Sequence, residues 1–145
     1  MIFEFIVKRF GFLKRIPLLP QLFDALLRVQ ALIAKPELLS WLDSLEKELQ
    51  SWPGVSISMH KYGGSQFNYQ GREIAHLHSN GLLDVRYSLK IKQELLTEGR
   101  ISEHHVLPHT GWVSFQLRSE EDLKYALRLI EISCSMKIGH CSSSL

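Results

Sequence analysis

His76 and His78 stand two residues apart in a segment that reads as a β-strand, so both imidazoles leave the same face of the sheet. His104, His105 and His109 follow ahead of the next strand. Imidazole titrates near neutrality, so one ring of such a group can take a proton while a protonated neighbour holds developing negative charge. Three converging rings would also suit zinc or another first-row metal, with two ligands from the strand and one from the loop. A His-x-His on a strand can equally be a hydrogen-bonded structural pair. No nearby cysteine or tight carboxylate spacing completes a metal signature, so the expectation is direct use of the rings, with a bound metal the lesser alternative.

Other side chains could complete this chemistry. Asp84 lies on the strand after the turn, where it could orient one of the rings. Arg100 directly follows Gly99, and its fixed charge suits an enolate, a carboxylate or a phosphate; the alternative is a surface ion pair near a helix end. Trp112 could stack on a planar ligand or simply pack over a sheet edge. Ser114 has no GxSxG elbow around it and reads as a serine on the polar face of a strand. Gly63 and Gly64 carry no phosphate-binding fingerprint and read as the closure of a hairpin.

These side chains need a sheet to carry them. Leu19, Leu22, Phe23, Leu26, Val29 and Ile33 repeat at helical spacing and predict a helix over 18–33. Pro36 suits the first turn of a second helix, whose stripe of Leu38, Leu39, Leu42, Leu45 and Leu49 runs to Gln50. After Trp52, Pro53 and Gly54 the period changes to two, with Val55, Ile57 and Met59 facing one way and Ser56, Ser58 and His60 the other. Turns at Gln70-Gly71 and Ser79-Asn80-Gly81 then join strands at 67–69, 72–78 and 82–87 into an antiparallel meander. Ser88 can cap a helix to Glu98 that turns Leu89, Leu95 and Leu96 inward. An irregular His-rich stretch precedes a strand over 112–118, with Val113, Phe115 and Leu117 on one face. Ser119 ahead of Glu120, Glu121 and Asp122 starts a last helix that buries Leu123, Ala126, Leu127, Ile130 and Cys134 and frays from Lys137. The expected fold is α+β: an antiparallel sheet of about four to five strands packed against helices, with a helical N-terminal segment over 1–34, a domain over 35–136 and a flexible tail over 137–145.

With 145 residues the chain can bury a core without disulfides or metal. Its 17 Lys and Arg against 15 Asp and Glu leave a formal charge of +2, and Arg86, Lys90, Lys92 and Arg100 are scattered, which argues against a dedicated nucleic-acid binder. Cys134 and Cys141 suggest no bridge and fit a reducing compartment such as the cytoplasm. Segment 1–34 is interrupted by Glu4, Lys8, Arg9, Lys14, Arg15, Asp24 and Arg28, which disfavours a membrane-spanning helix. Its wide apolar face beside basic residues suits core packing, a homodimer contact, or peripheral contact with an anionic membrane surface.

The joint order of Arg72-Glu73, His76-x-His78, Gly81, Asp84, Gly99-Arg100, His105, Pro108 and Gly111-Trp112-Val113-Ser114 resembles the luciferase-domain family, over about residues 50–136. That family includes the luciferase of bioluminescent fungi and many small bacterial proteins. The fungal enzymes use oxygen to convert a hydroxylated styryl-pyrone into a high-energy intermediate, with no organic cofactor known to be required. The resemblance therefore implies a pocket with His76, His78, Arg100 and His105 as catalytic residues and Asp84, His109, Trp112 and Ser114 as substrate-binding residues. A histidine would deprotonate an acidic ring hydroxyl, and Arg100 would stabilise the anion as it reacts with oxygen. The expected function is binding or oxidation of a small aromatic or enolisable molecule in a His-rich groove, by a cofactor-independent oxygenase-like activity if the protein is an enzyme. The alternative is a non-catalytic module that engages a protein partner or a membrane surface through its N-terminal segment.

Overall fold

The computed structural model of the protein describes residues 18–141. Residues 1–17 of the expected N-terminal segment and 142–145 of the expected tail lie outside the described residues. Helix α1 spans Leu19–Ala34 and helix α2 Pro36–Gln50. Lys35 alone separates them, because Pro36 lacks the amide hydrogen that would continue α1 and fits the first turn of α2 instead. Strands β1 (Val55–Met59), β2 (Ser65–Tyr69), β3 (Arg72–Leu77) and β4 (Leu82–Arg86) form the expected meander. Helix α3 (Leu89–Leu96), strands β5 (Ser102–Glu103) and β6 (Trp112–Gln116), and helix α4 (Glu121–Cys141) complete the chain, with α4 continuing past Lys137. The sheet runs β1-β2-β3-β4-β6-β5, every neighbour antiparallel.

The class is α+β as expected, but the sheet has six strands rather than four or five. The additional strand, β5, lies inside the stretch read as irregular. Its two exposed residues pair with Ser114 and Val113 and carry no alternation that a sequence could display.

One face of the sheet makes the core. Phe67, Ala75, Leu77, Leu83, Val85, Val113 and Phe115 are buried against Leu42, Leu45 and Leu49 of α2 and Ala126, Leu129 and Ile130 of α4. Each Val, Leu, Ile or Phe among them contributes about 1.5–3 kcal/mol relative to exposure. Ser88 Oγ accepts the Ile91 N–H as expected of a cap. At α4 it is Asp122 that reaches back, accepting the N–H groups of Arg118 and Ser119 at 2.9 and 3.1 Å. Leu89 is exposed rather than inward; Lys92, one turn before Leu95, is buried in its stead.

Two backbone features shape the opposite face. Phe67 pairs with Ala75 but Asn68 pairs with Glu73, so Ile74 is an extra residue, a β-bulge in β3. In a regular strand Glu73 and His76, three apart, would point to opposite faces; the bulge returns Glu73 to the face of His76. At the β1–β2 hairpin, Gly64 has φ +81, and a Cβ there would stand 2.2 Å from the Leu77 carbonyl oxygen. The close approach brings His60, whose N–H donates to Gly64 O at 3.0 Å, alongside β3. Among the described residues no helix is long and apolar enough to cross a membrane.

Candidate functional site

The register of three neighbouring strands sets one polar row on the face away from the core. His76 on β3 pairs with Asp84 on β4, and Asp84 pairs with Ser114 on β6. Trp112 and Arg86, two residues along on their strands, pair with each other on the same face. His78 follows the end of β3, His104 comes from the loop after β5, and His60 from the β1–β2 hairpin.

The cluster is built around two carboxylates. His76 lies between them, its Nδ1 2.9 Å from Glu73 Oε1 and its Nε2 3.1 Å from Asp84 Oδ2. The Nε2 atoms of His78 and His104 each stand 3.6 Å from the same Asp84 Oδ2. Ser114 Oγ donates a hydrogen bond to Asp84 Oδ1. His60 stacks on His76 with ring centroids 4.1 Å apart, and its Nε2 is 3.4 Å from Glu73 Oε1.

Two of the rings have their tautomers fixed by the backbone. His104 Nδ1 accepts the N–H groups of Val106 and Leu107 at 3.1 and 3.2 Å, so its ring proton sits on Nε2, facing Asp84. His60 Nδ1 accepts the Tyr62 N–H at 3.4 Å, which likewise leaves the proton on Nε2, facing Glu73. Burial lowers His104 to about 4 despite the Asp84 charge, and burial with the neighbouring His76 lowers His60 to about 4. Both are neutral at pH 7. Burial also opposes charge on His76, but the Asp84 and Glu73 carboxylates on either side of it outweigh that and raise the ring to about 8. Burial pushes the Asp84 carboxyl up, yet His76, His78 and Ser114 together hold it well below the usual carboxylate range. Glu73 is lowered in the same way, burial being overcome by His76.

Above the cluster lies a cavity of about 590 Å³. Leu19, Phe23 and Leu27, one turn apart on α1, form an apolar roof; Val106, Leu107 and Trp112 form a side wall. Asp24 fastens the roof, accepting the Ser79 N–H and hydroxyl at 3.2 and 2.8 Å.

The structure brings His76, His78, Asp84, His105 and Trp112 to this cavity, with His105 stacked on His104 at 4.7 Å. Ser114 stands behind Asp84 and does not line the cavity. Arg100 and His109 are not brought to the cluster. The Arg100 guanidinium is drawn to α4, pairing with Asp122 at 3.0 Å and lying 3.9 Å over the Tyr125 ring. His109 is exposed, because the carbonyls on either side of it, Pro108 O and Thr110 O, turn inward to Lys92.

His60, Glu73 and Arg86 line the cavity and were not among the expected site residues; His104, grouped with the other histidines in the sequence but given no role, joins them there. Arg86 shares the parity of Asp84 on β4, and His60 that of Ser56 and Ser58, so both carried a sequence signal. Glu73 carried a misleading one, since the bulge inverts its face. Among the described residues two sets could hold a metal ion, His60 with Glu73 and His76, and His76 with His78 and Asp84; within each set the donor atoms lie within 4.8 Å of one another.

Residues 71–133 match a family model described as Luciferase domain, which supports a luciferase-domain family assignment. Comparisons with curated proteins and with solved structures gave no match. The matched span holds the floor of the cavity, from Glu73 to Trp112, whereas the α1 roof and His60 lie before it.

Proposed function

We propose that the chain binds a small, planar, oxygen-bearing organic molecule in this cavity and oxidises it. The observation that carries the reading is the pairing of an apolar roof and wall with a buried imidazole and carboxylate floor, in a cavity whose volume suits one such ligand. The ligand's ring lies between Phe23 and Trp112, and its acidic enol or phenol hydroxyl meets the histidines. Loss of that proton to a histidine gives an enolate or phenolate, an electron-rich species open to dioxygen, the oxidant used by the fungal luciferases that the chain resembles. The guanidinium suited to balance the anion is Arg86, which lines the cavity, and not Arg100, which is engaged on α4.

Titration of the full chain with 4-hydroxy-2-pyrone and with substituted phenols, followed by tryptophan fluorescence and by oxygen uptake, tests this. Saturable quenching lost in Trp112→Ala, with oxygen uptake lost in His78→Ala, is the expected result. Absence of saturable binding by every enolic and phenolic probe would remove the proposal.

A second reading rests on Leu22, Leu26, Val29 and Ile33, which are exposed along α1 and suit a contact with a membrane surface or a second copy. Flotation with anionic vesicles and measurement of the mass in solution would separate these, and a monomer that does not float would dismiss both.

A further inference from the structure

We infer that His76 Nε2, His78 Nε2 and Asp84 Oδ2 form a site for one first-row divalent transition ion at the floor of the cavity. The inference stands apart from the choice of organic ligand, since it concerns the ion alone.

The spacing of the donor atoms is that of a coordination polyhedron. First-row ions such as zinc take nitrogen at about 2.0–2.1 Å and carboxylate oxygen at about 2.0–2.2 Å, which puts neighbouring ligand atoms about 3.0 Å apart at octahedral angles and about 3.4 Å apart at tetrahedral ones. Asp84 Oδ2 is 3.1 Å from His76 Nε2, between those values, and 3.6 Å from His78 Nε2, slightly above the tetrahedral one.

A metal-free ion pair accounts poorly for the same atoms. Asp84 is 0% exposed, and its Oδ1 is satisfied by Ser114, but Oδ2 makes no hydrogen bond of good geometry even though three imidazole nitrogens surround it. A buried carboxylate oxygen left in that state costs stability. A cation among the converging atoms would satisfy it.

The surrounding contacts match what metal ligands require. Glu73 accepts from His76 Nδ1 at 2.9 Å, so an ion that displaces the Nε2 proton would meet a lone pair directed toward Asp84, the carboxylate–histidine–metal arrangement. Ser114 holds the other oxygen of the Asp84 ligand.

The tautomers choose between the candidate sets. His60 and His104 both spend Nδ1 on backbone N–H groups, so their Nε2 atoms carry protons that face Glu73 and Asp84 at 3.4 and 3.6 Å and are not free to ligate. That argues against the set containing His60. Two imidazoles with one carboxylate suit zinc, iron(II), cobalt(II) or manganese(II), and not calcium or magnesium, which prefer oxygen ligands throughout. All three ligands line the cavity, so the remaining coordination positions face it.

The test is titration of chelator-treated, full-length protein with cobalt(II), read by visible absorption, and with zinc(II), read by calorimetry. One ion per chain is expected, with His78→Gln and Asp84→Asn each weakening binding by at least about 100-fold, with His60→Gln weakening it at least about 10-fold less than His78→Gln, and with the exposed His109→Ala within about 3-fold of the parent. Circular dichroism on each variant separates loss of the site from loss of the fold, and His78→Gln, at the end of its strand, serves if Asp84→Asn does not fold. Absence of one-to-one binding would overturn the inference. So would binding indifferent to His78→Gln, which would mean adventitious uptake by other histidines, or a loss in His60→Gln as large as in His78→Gln, which would place the ion in the other set.

Discussion

Lys92→Met tests what holds the His104 loop against the sheet. Lys92 is 1% exposed, and its Nζ donates to Pro108 O and, at 2.9 Å, to Thr110 O, while Glu103 Oε1 lies 3.2 Å away. Methionine keeps most of the volume of the lysine stem, so packing changes little and the loss is chiefly polar. Two carbonyl groups lose a charged donor, and at about 1–3 kcal/mol for each unsatisfied group the variant should lose about 2–6 kcal/mol. At about 4 °C per kcal/mol for a domain of this size, the melting temperature should fall by about 8–24 °C. Glu103 is half exposed, so Glu103→Gln should cost less than about 1 kcal/mol. Urea denaturation of the three proteins supplies the free energies, and amide exchange reports whether residues 104–111 open first. If Lys92→Met stays within about 1 kcal/mol of the parent, or if Glu103→Gln costs as much as Lys92→Met, the carbonyl anchor is not what fixes the loop.

Three further outcomes follow from the same contacts. His104→Ala removes the acceptor of two backbone N–H groups and should cost about 2–4 kcal/mol, with faster exchange at Val106 and Leu107; His104→Asn, whose Oδ1 reaches the Nδ1 position, should recover at least half of that, and equal losses in the two variants would refute the capping role. Gly111→Ala would set a Cβ 1.9 Å from the Tyr87 carbonyl oxygen, backbone against backbone, so it should cost about 3 kcal/mol or more by urea denaturation; a variant of parental stability would show that the β4–β6 end can spread. Glu98 is held down to about 2 by Arg128 and then Tyr125, so its contribution is present above the ordinary carboxylate value of 4.5 and is lost as pH falls toward 2. Melting temperatures of Glu98→Gln and its parent should therefore differ at pH 6 and converge near pH 2, by a modest amount because the pair is on the surface; a difference that does not shrink on acidification would contradict the linkage.

The fold was legible where periodicity carried it. The leucine stripe of α2, the meander and the parity of β6 all followed from spacing, and so did the shared face of His76 and His78. The misses have separate physical origins. A bulge adds one residue to β3 and inverts the parity of Glu73 relative to its neighbours, which no alternation count can register. Lys92 reads as a solvated face of a short helix until the carbonyls of Pro108 and Thr110, sixteen and eighteen residues on, are known to converge on it. His104 and His105 are equivalent in sequence, and only the turn at Val106 and Leu107 decides that His104 faces Asp84. Arg100 is drawn from the cluster by Tyr125 and Asp122, partners supplied by a helix some twenty residues away.

The cluster also runs against what stability alone would select. His76, Asp84 and Ser114 occupy the centre of the sheet, on the strands whose other faces carry Ala75, Leu77, Leu83, Val85, Val113 and Phe115 in the core. Apolar residues in that row would let α1 pack flat on the sheet as α2 and α4 do on the reverse. Instead Asp84 is desolvated completely, and α1 is held off by a cavity, with little of the helix buried beyond Ala31. Replacing a buried charged set with well-packed apolar residues is often neutral or stabilising, by about 1–4 kcal/mol. Local rules are broken together here: a bulge, three rings turned toward one carboxylate oxygen, and a helix kept off the face it covers. Such concentration of cost in one place, with the rest of the sheet conventionally packed, is the pattern of a site that must receive something. It makes a sharp demand on Asp84: if the row were only an element of the fold, Asp84→Leu with His76→Leu and His78→Leu should raise the melting temperature and leave every binding property intact. Under the proposed function and the inferred ion site, the same triple variant should match or exceed the parent in stability while losing both the organic probe and cobalt(II).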